Sequence, residues 1–173
     1  MSRYRPPPPK SSPYVTREGH ERLQAELAQA WTRRADVVTA LSAAAAEGDR
    51  SENAEYQYRK KELAGIDRRI RYLQRRLPAL EIVDARAGGD RVFFGAEVRL
   101  ELEADAGALE ESRVRLVGAD EIDPARRHVS IDSPLARALL GRRIGDTVEI
   151  EIEGRALAYT VLEVSWPAPS TDG

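Results

Sequence analysis

LAGIDRRIRYLQRRLPAL, residues 63–80, sets Leu63, Ile66, Ile70, Leu73, Leu77 and Leu80 at steps of three and four without a miss. This is a heptad seam, the spacing that keeps one narrow apolar stripe of an α-helix facing a partner helix. Pro78 cannot donate the hydrogen bond that the next turn needs, so the helix should end there, with Leu80 just beyond. A partner stripe lies upstream in TREGHERLQAELAQAWTRRADVVTALSAAAAE, residues 16–47. Leu23, Leu27, Ala30, Val37, Leu41 and Ala44 follow alternating steps of four and three, Arg34 fills the one gap, and Thr16 is suited to the N-cap. Two such helices joined by a turn containing Gly48 predict an antiparallel coiled-coil hairpin. Each arm would be roughly 45 Å long at about 1.5 Å per residue.

Beyond Ile82-Val83-Asp84 the period changes to two. AEVRLELE (96–103) puts Val98, Leu100 and Leu102 on one face and charges on the other; SRVRLVG (112–118) and TVEIEIEG (147–154) repeat this, and ALAYTVLEV (156–164) reads as a last strand. Such alternation predicts an antiparallel sheet with one solvated face. IDSPLARALLG (131–141) interrupts it with a short helix, capped by Ser133, opened by Pro134 and closed by Gly141. The predicted organisation is an α+β chain: a Pro-rich extension over 1–13, expected to be disordered or extended, a hairpin over 14–80 with its tip at 47–56, a sheet domain over 81–166, and a tail over 167–173. The extension, MSRYRPPPPKSSP, reads as a passive tail or as a proline-rich recognition segment.

The 173 residues are 42% hydrophobic and 32% charged, without cysteine, which excludes disulfides, thiolate metal sites and a cysteine nucleophile. No apolar run approaches the ~20 residues of a membrane span, and a cytoplasmic monomer with no membrane partner is expected. The net charge of −2 hides a split. Residues 1–80 carry 16 Lys and Arg against 10 Asp and Glu, whereas residues 81–173 carry 11 against 19. The basic half is the one suited to nucleic acid. Its densest stretch, RKKELAGIDRRIRYLQRR (59–76), has eight basic residues and two acidic ones, and reads either as a solvated helix face or as a phosphate-backbone contact.

Following the second seam backwards from Leu63 gives Arg59, Tyr56, Glu52 and Asp49, so the stripe turns acidic at the hairpin tip, EGDRSENAEY (47–56). Asp49-Arg50-Ser51-Glu52 has the form of a capping box, and acids suit a helix N-terminus. Ser51 could cap as well. The other reading is metal ligation, because Mg²⁺ takes one or two carboxylates together with water and phosphate oxygens. Two acids at the end of a rod could complete a metal site belonging to another molecule. An autonomous site is hard to find: there is no GxxxxGK[ST] or HExxH, and His20 and His128 lie far apart in sequence.

YVTREGHERLQAEL (14–27), GDRSENAEYQYRKKEL (48–63), IDRRIRYLQRRL (66–77), VFFGAEV (92–98), LVGADEID (116–123) and SIDSPLARALLGRRIGDTVEI (130–150) follow one another in order. Together they resemble the Gre family of bacterial transcript cleavage factors, its GreB branch in particular, over about residues 14–165. The resemblance implies a coiled-coil hairpin followed by a C-terminal domain of FKBP-like topology. It implies an accessory factor, not an enzyme, that docks on bacterial RNA polymerase and threads its secondary channel. There, Asp49 and Glu52 would share the second catalytic Mg²⁺ of the polymerase, with Asn53 and Tyr56 in support, while the polymerase cleaves the 3′ end of backtracked nascent RNA. No cofactor is expected on the chain alone. The basic stretch matches the place where GreB-type factors approach RNA, which makes Arg59, Lys60, Lys61, Arg68 and Arg69 the RNA candidates. Asp132, Ser133 and Pro134 are the docking candidates, although a plain helix start explains the same residues.

Three other readings remain open. A channel-binding inhibitor of the same family would carry an altered tip, whereas GDRSENAEY is intact. A prolyl isomerase would need an aromatic pocket, and residues 81–173 offer only Phe93, Phe94, Tyr159 and Trp166. A coiled-coil adaptor would use the tip acids as caps alone.

Overall fold

A computed structural model of the chain describes residues 11–46, 53–84, 88–103, 109–152 and 154–167. The chain divides into two compact units, one drawn from residues 20–80 and the other from residues up to 19 together with those from 81 onward. Among the described residues, no helix is long and apolar enough to cross a membrane.

The first unit is the hairpin. Helix α1 runs Arg17–Ala46 and helix α2 runs Ala54–Arg76. A 3-10 turn, Leu77–Ala79, follows α2 at Pro78, where the sequence predicts the break. The predicted seam is the buried stripe: Leu23, Val37, Ala44, Ile70 and Leu73 are buried, and Leu27, Ala30, Leu41, Leu63, Ile66, Leu77 and Leu80 are half-buried between them. Arg34, in the gap of the α1 seam, is answered from α2 by Asp67 at 2.7 Å. Arg33 pairs with Glu62, and Glu26 with Arg69 at 2.5 Å, so the two helices run antiparallel. The Arg69 hydrogen bond, acting against the cost of burial, holds the Glu26 carboxyl below its ordinary pKa. Exposed pairs of this kind contribute about 0–1 kcal/mol each, while a buried Leu or Ile contributes about 1.5–3 kcal/mol. The seam therefore holds the helices together, and the charges set their register.

The second unit is built on a five-stranded sheet of β3 (Glu97–Glu103), β4 (Leu109–Val117), β5 (His128–Ser130), β6 (Thr147–Ile152) and β7 (Arg155–Ser165). The strand order is β5-β4-β3-β7-β6. The predicted sheet with one short helix is present, antiparallel except at one edge, where β5 runs parallel to β4. Val98 and Leu100 of β3, Leu116 of β4, Val148 of β6 and Val161 of β7 form the core with Val92, Ala96 and, from helix α3 (Pro134–Leu139), Ala136 and Leu139. The other face carries the alternating charges as a cross-strand ladder. Arg99 reaches Glu111 and Glu163 at 3.2 Å each, and Arg113 reaches Glu97 at 3.3 Å. A register shift between Arg99 and Leu100 interrupts the β3–β7 ladder.

A second, two-stranded sheet pairs β1 (Tyr14–Val15) in parallel with β2 (Glu81–Ile82). It brings the residues before α1 onto the chain that follows the hairpin. The joint is completed by Glu121, which is 3% exposed. Its Oε2 accepts the backbone N–H groups of Thr16 and Gly118, each at 2.9 Å, and its Oε1 accepts the Thr16 hydroxyl. Thr16 Oγ1 accepts the Gly19 N–H at 3.0 Å, so Thr16 is the N-cap that the sequence predicts. A Cβ on Gly19 would lie 2.0 Å from Glu121 Oε1, and one on Gly118 would lie 2.2 Å from the Tyr14 carbonyl oxygen. Both glycines are required by close approach.

Beside this joint Glu18 accepts from Arg115 at 3.1 Å and from Arg126 at 2.9 Å. Burial works to raise the Glu18 carboxyl, but the hydrogen bonds and charges of Arg126 and Arg115 together outweigh it and hold the pKa below the ordinary 4.5.

Two outcomes follow for the sheet unit. Gly19→Ala should lower its stability by about 1–3 kcal/mol, as overpacking does, because Glu121 must leave Thr16 to make room; urea unfolding at neutral pH measures this, and an unchanged midpoint would refute it. The contribution of Glu18 should be fully present above its unfolded pKa near 4.5 and lost as pH falls through the lower folded value. The difference in melting temperature between wild type and Glu18→Gln should therefore shrink on acidification, and a difference that grew would overturn the assignment.

Candidate functional site

One side chain ties the start of α2 to the last turn of α1. Asn53 is the N-cap of α2: its Oδ1 accepts the Tyr56 N–H at 3.1 Å, and its carbonyl oxygen accepts the Gln57 N–H at 3.1 Å. Its Nδ2 donates 2.9 Å across the turn to the carbonyl oxygen of Ala44, in the last turn of α1. The two contacts fix the orientation of the amide, since a flipped Asn53 would oppose donor to donor and acceptor to acceptor. Ala44 is 4% exposed and fills the last seam position of α1.

The cap position of α2 thus belongs to Asn53, not to Asp49 or Ser51. Asp49 and Glu52 lie outside the described residues, in the eight-residue stretch between the two ends that Asn53 joins. Tyr56 is half-buried on the seam. Glu55, in the first turn of α2, accepts from Arg59 Nε at 2.7 Å as an i,i+4 pair.

The five basic candidates divide. Arg59 is held by Glu55 and, at 3.1 Å, by Glu62, and these two carboxylates raise its pKa above the ordinary guanidinium value. Its guanidinium also lies 5.4 Å from the Tyr58 ring centroid. Arg69 pairs with Glu26 and lies 5.2 Å from the Tyr72 ring centroid. Lys60, Lys61 and Arg68 are exposed and make no ion pair among the described residues. At about 100° per residue these three fall within one arc of α2, away from the seam. They are the candidates a phosphate could engage without first breaking an internal pair.

Asp132, Ser133 and Pro134 sit between β5 and α3. Ser133 caps α3 by accepting the Ala136 N–H at 3.2 Å, and Pro134 is the first helical residue, as the sequence predicts. The Ser133 N–H reaches the Ser130 carbonyl oxygen at 2.9 Å, and the Asp132 N–H reaches Ser130 Oγ at 3.1 Å. Asp132 and Ser133 are half-buried, and Pro134 is exposed. Elsewhere in the sheet unit an open cavity of about 370 Å³ is lined by Glu18, Arg113, Arg115, Arg126, Arg127 and His128 among others; Glu18 already takes up Arg115 and Arg126.

Residues 13–82 match the family described as "Transcription elongation factor, N-terminal", and residues 87–166 match "Transcription elongation factor, GreA/GreB, C-term". The chain belongs to the GreA/GreB family of transcription elongation factors. It is 55% identical over 168 residues to transcription elongation factor GreB of Xanthomonas axonopodis pv. citri (strain 306), covering 96% of this chain and 98% of that one. Its identity to transcription elongation factor GreB of Pseudomonas aeruginosa (strain PAO1) is 48% over 169 residues, again covering 96% and 98%. Among solved structures, the Thermus aquaticus Gfh1 crystal structure matches with a TM-score of 0.41 at 25% identity, covering 90% of this chain and 99% of that one.

In this GreA/GreB family member two contacts are not legible in the sequence. The cross-turn bond of Asn53 needs the far helix, and nothing at position 44 announces a carbonyl acceptor. Ser12, which hydrogen-bonds Asp132 from 120 positions away, stood in the segment read as a tail. The only sequence signal for Ser12 was its place two residues before the first patterned segment.

Asn53→Ala removes both the cap and the cross-turn tie. It should cost about 1 kcal/mol, the usual worth of an N-cap, and should speed amide exchange in the first turn of α2 while leaving the exchange of Leu73 unchanged. Hydrogen exchange followed by mass spectrometry measures this; wild-type protection at Tyr56 and Gln57 would remove Asn53 as the closing residue.

Proposed function

We propose that the chain is a transcript cleavage factor of the GreB type. It docks on bacterial RNA polymerase in the cytoplasm, as a monomer, through its sheet unit. It enters the secondary channel with its hairpin and stimulates the polymerase to cut the 3′ end of backtracked nascent RNA. The hydrolysis belongs to the polymerase; this chain is an accessory factor. The observation that carries the reading is the joining of the two helices beside the stretch that bears Asp49 and Glu52: Asn53 caps α2 and donates to the Ala44 carbonyl oxygen of α1, and both helices are held by a buried seam. Membership in the transcription elongation factor family and high identity to GreB proteins over nearly the whole chain support it.

The donor set fits Mg²⁺: Asp49 and Glu52 offer hard carboxylate oxygens, which suit that ion, and no thiolate or imidazole competes at the tip. Asp49 and Glu52 would hold the ion jointly with the polymerase, which needs it to stabilise the attacking and leaving oxygens of phosphodiester hydrolysis. Asn53 and Tyr56 keep the base of the turn in place. Since Asn53 supplies the cap, neither tip acid is needed for that role. Lys60, Lys61 and Arg68 attract the RNA backbone without reading sequence, and Arg59 and Arg69 can join them by exchanging a carboxylate for a phosphate. Asp132, Ser133 and Pro134 form the docking segment.

The test is Asp49→Asn combined with Glu52→Gln, which keeps size and removes charge. Cleavage of RNA in stalled, backtracked complexes should fall by about 10–100-fold or more, as for altered ligand shells at metal sites, while polymerase binding stays within about twofold. Full cleavage by the double variant would leave only the adaptor reading. A wild-type protein that competes with a known cleavage factor but stimulates nothing would instead identify a channel inhibitor.

A further inference from the structure

Ser12 is the nearest described neighbour of the docking segment that the proposed function leaves without a task. Its N–H donates to Asp132 Oδ2 at 2.9 Å, and its hydroxyl donates to Asp132 Oδ1. One residue thus supplies a donor to each oxygen of the carboxylate and sets the plane of the group. Hydrogen bonds to an ionised acceptor are among the stronger ones, and two from one residue add geometric control.

The loop itself does not need these bonds. Its backbone is already fastened by Ser130, through the Asp132 and Ser133 N–H groups, and by the Ser133 cap on α3. What Ser12 adds is control of the Asp132 side chain alone. Ser12 is held in turn: the adjacent Pro13 carbonyl oxygen accepts the Glu81 N–H at 2.8 Å, and Tyr14 and Val15 pair with Glu81 and Ile82. The N-terminal segment is therefore anchored one residue beyond Ser12 and does not approach Asp132 as a loose tail. Asp132 is half-exposed under this contact.

We propose that Ser12 is a positioning residue for the Asp132 carboxylate, holding it in the orientation that a cationic donor on the polymerase meets. This rests on the reading of Asp132-Ser133-Pro134 as the docking segment. A long-range serine clamp has an evident benefit there: a carboxylate that is already oriented loses less side-chain freedom on binding.

The test uses the full chain, purified RNA polymerase and stalled, backtracked complexes. Ser12→Ala keeps the N–H bond and loses the hydroxyl bond. It should raise the factor concentration for half-maximal cleavage by about three- to tenfold, the range expected for one side chain left to be ordered on binding. The cleavage rate at saturation should stay at the wild-type value. Ser12→Thr, which keeps both donors, should restore the half-maximal concentration, and Ser12→Ala should add nothing in an Asp132→Ala background. If Asp132→Ala weakens binding while Ser12→Ala leaves it unchanged, the inference falls and the docking reading stands. If Ser12→Ala tightens binding, the contact is a mask and the inference is overturned. If Asp132→Ala binds like wild type, the docking reading fails and takes the inference with it.

Discussion

A buried carboxylate with no room beside it joins the segment before α1 to the sheet unit. Glu121 sits on the wrong side of burial for a charged group and is tolerated because the Thr16 and Gly118 N–H groups and the Thr16 hydroxyl all donate to it. It also faces the first turn of α1, whose free N–H groups favour a negative charge. Gly19 and Gly118 exist at these positions because nothing larger fits between the elements that Glu121 joins. The sequence signatures TREG and VGADE, 100 residues apart, are two halves of this one contact. With it in place, β1 pairs with β2, the segment before α1 is held at Pro13, and Ser12 comes to rest on Asp132.

The hairpin depends on a different force. Its long apolar seam outweighs its surface ion pairs by several kcal/mol, and this leaves the charged residues free to serve register and electrostatics. Arg34 with Asp67 keeps the register where the α1 stripe breaks, and Glu62 is shared between Arg33 and Arg59. The Glu62 carboxyl is held below its ordinary pKa, first by the Arg33 hydrogen bond and, against the cost of burial, by that of Arg59. Cations occupied in this way differ from Lys60, Lys61 and Arg68, which make no ion pair among the described residues. A run that looks uniformly basic along the chain is thus heterogeneous in the folded helix.

At the tip, capping and chemistry are separated by one residue type. An asparagine can accept from its own helix with one amide atom and donate across the turn with the other, which neither an aspartate nor a serine could do with the same geometry. With Asn53 in that place, the cap of α2 does not call on Asp49 or Glu52. The proposed metal role then rests on what those acids can do for another molecule.

Periodicity alone determined the two helices, their antiparallel pairing, the break at Pro78, the period-two strands and the Ser133-Pro134 helix start, because each is a local pattern of apolar spacing or backbone chemistry. The acidic tip and the Asp132-Ser133-Pro134 triplet were legible as motifs, although their geometry was not. Tertiary structure decided the rest. β1, β2 and β5 are two or three residues long, too short for any period to register, and they form because distant partners meet them. Whether Arg33, Arg34 and Arg69 are engaged depends on carboxylates one helix away, and the tasks of Asn53, Glu121 and Ser12 depend on acceptors or donors 9, 105 and 120 positions distant. A hydrogen bond leaves no periodic trace in the chain, so contacts of that span appear only once the burial of apolar side chains has brought their ends together.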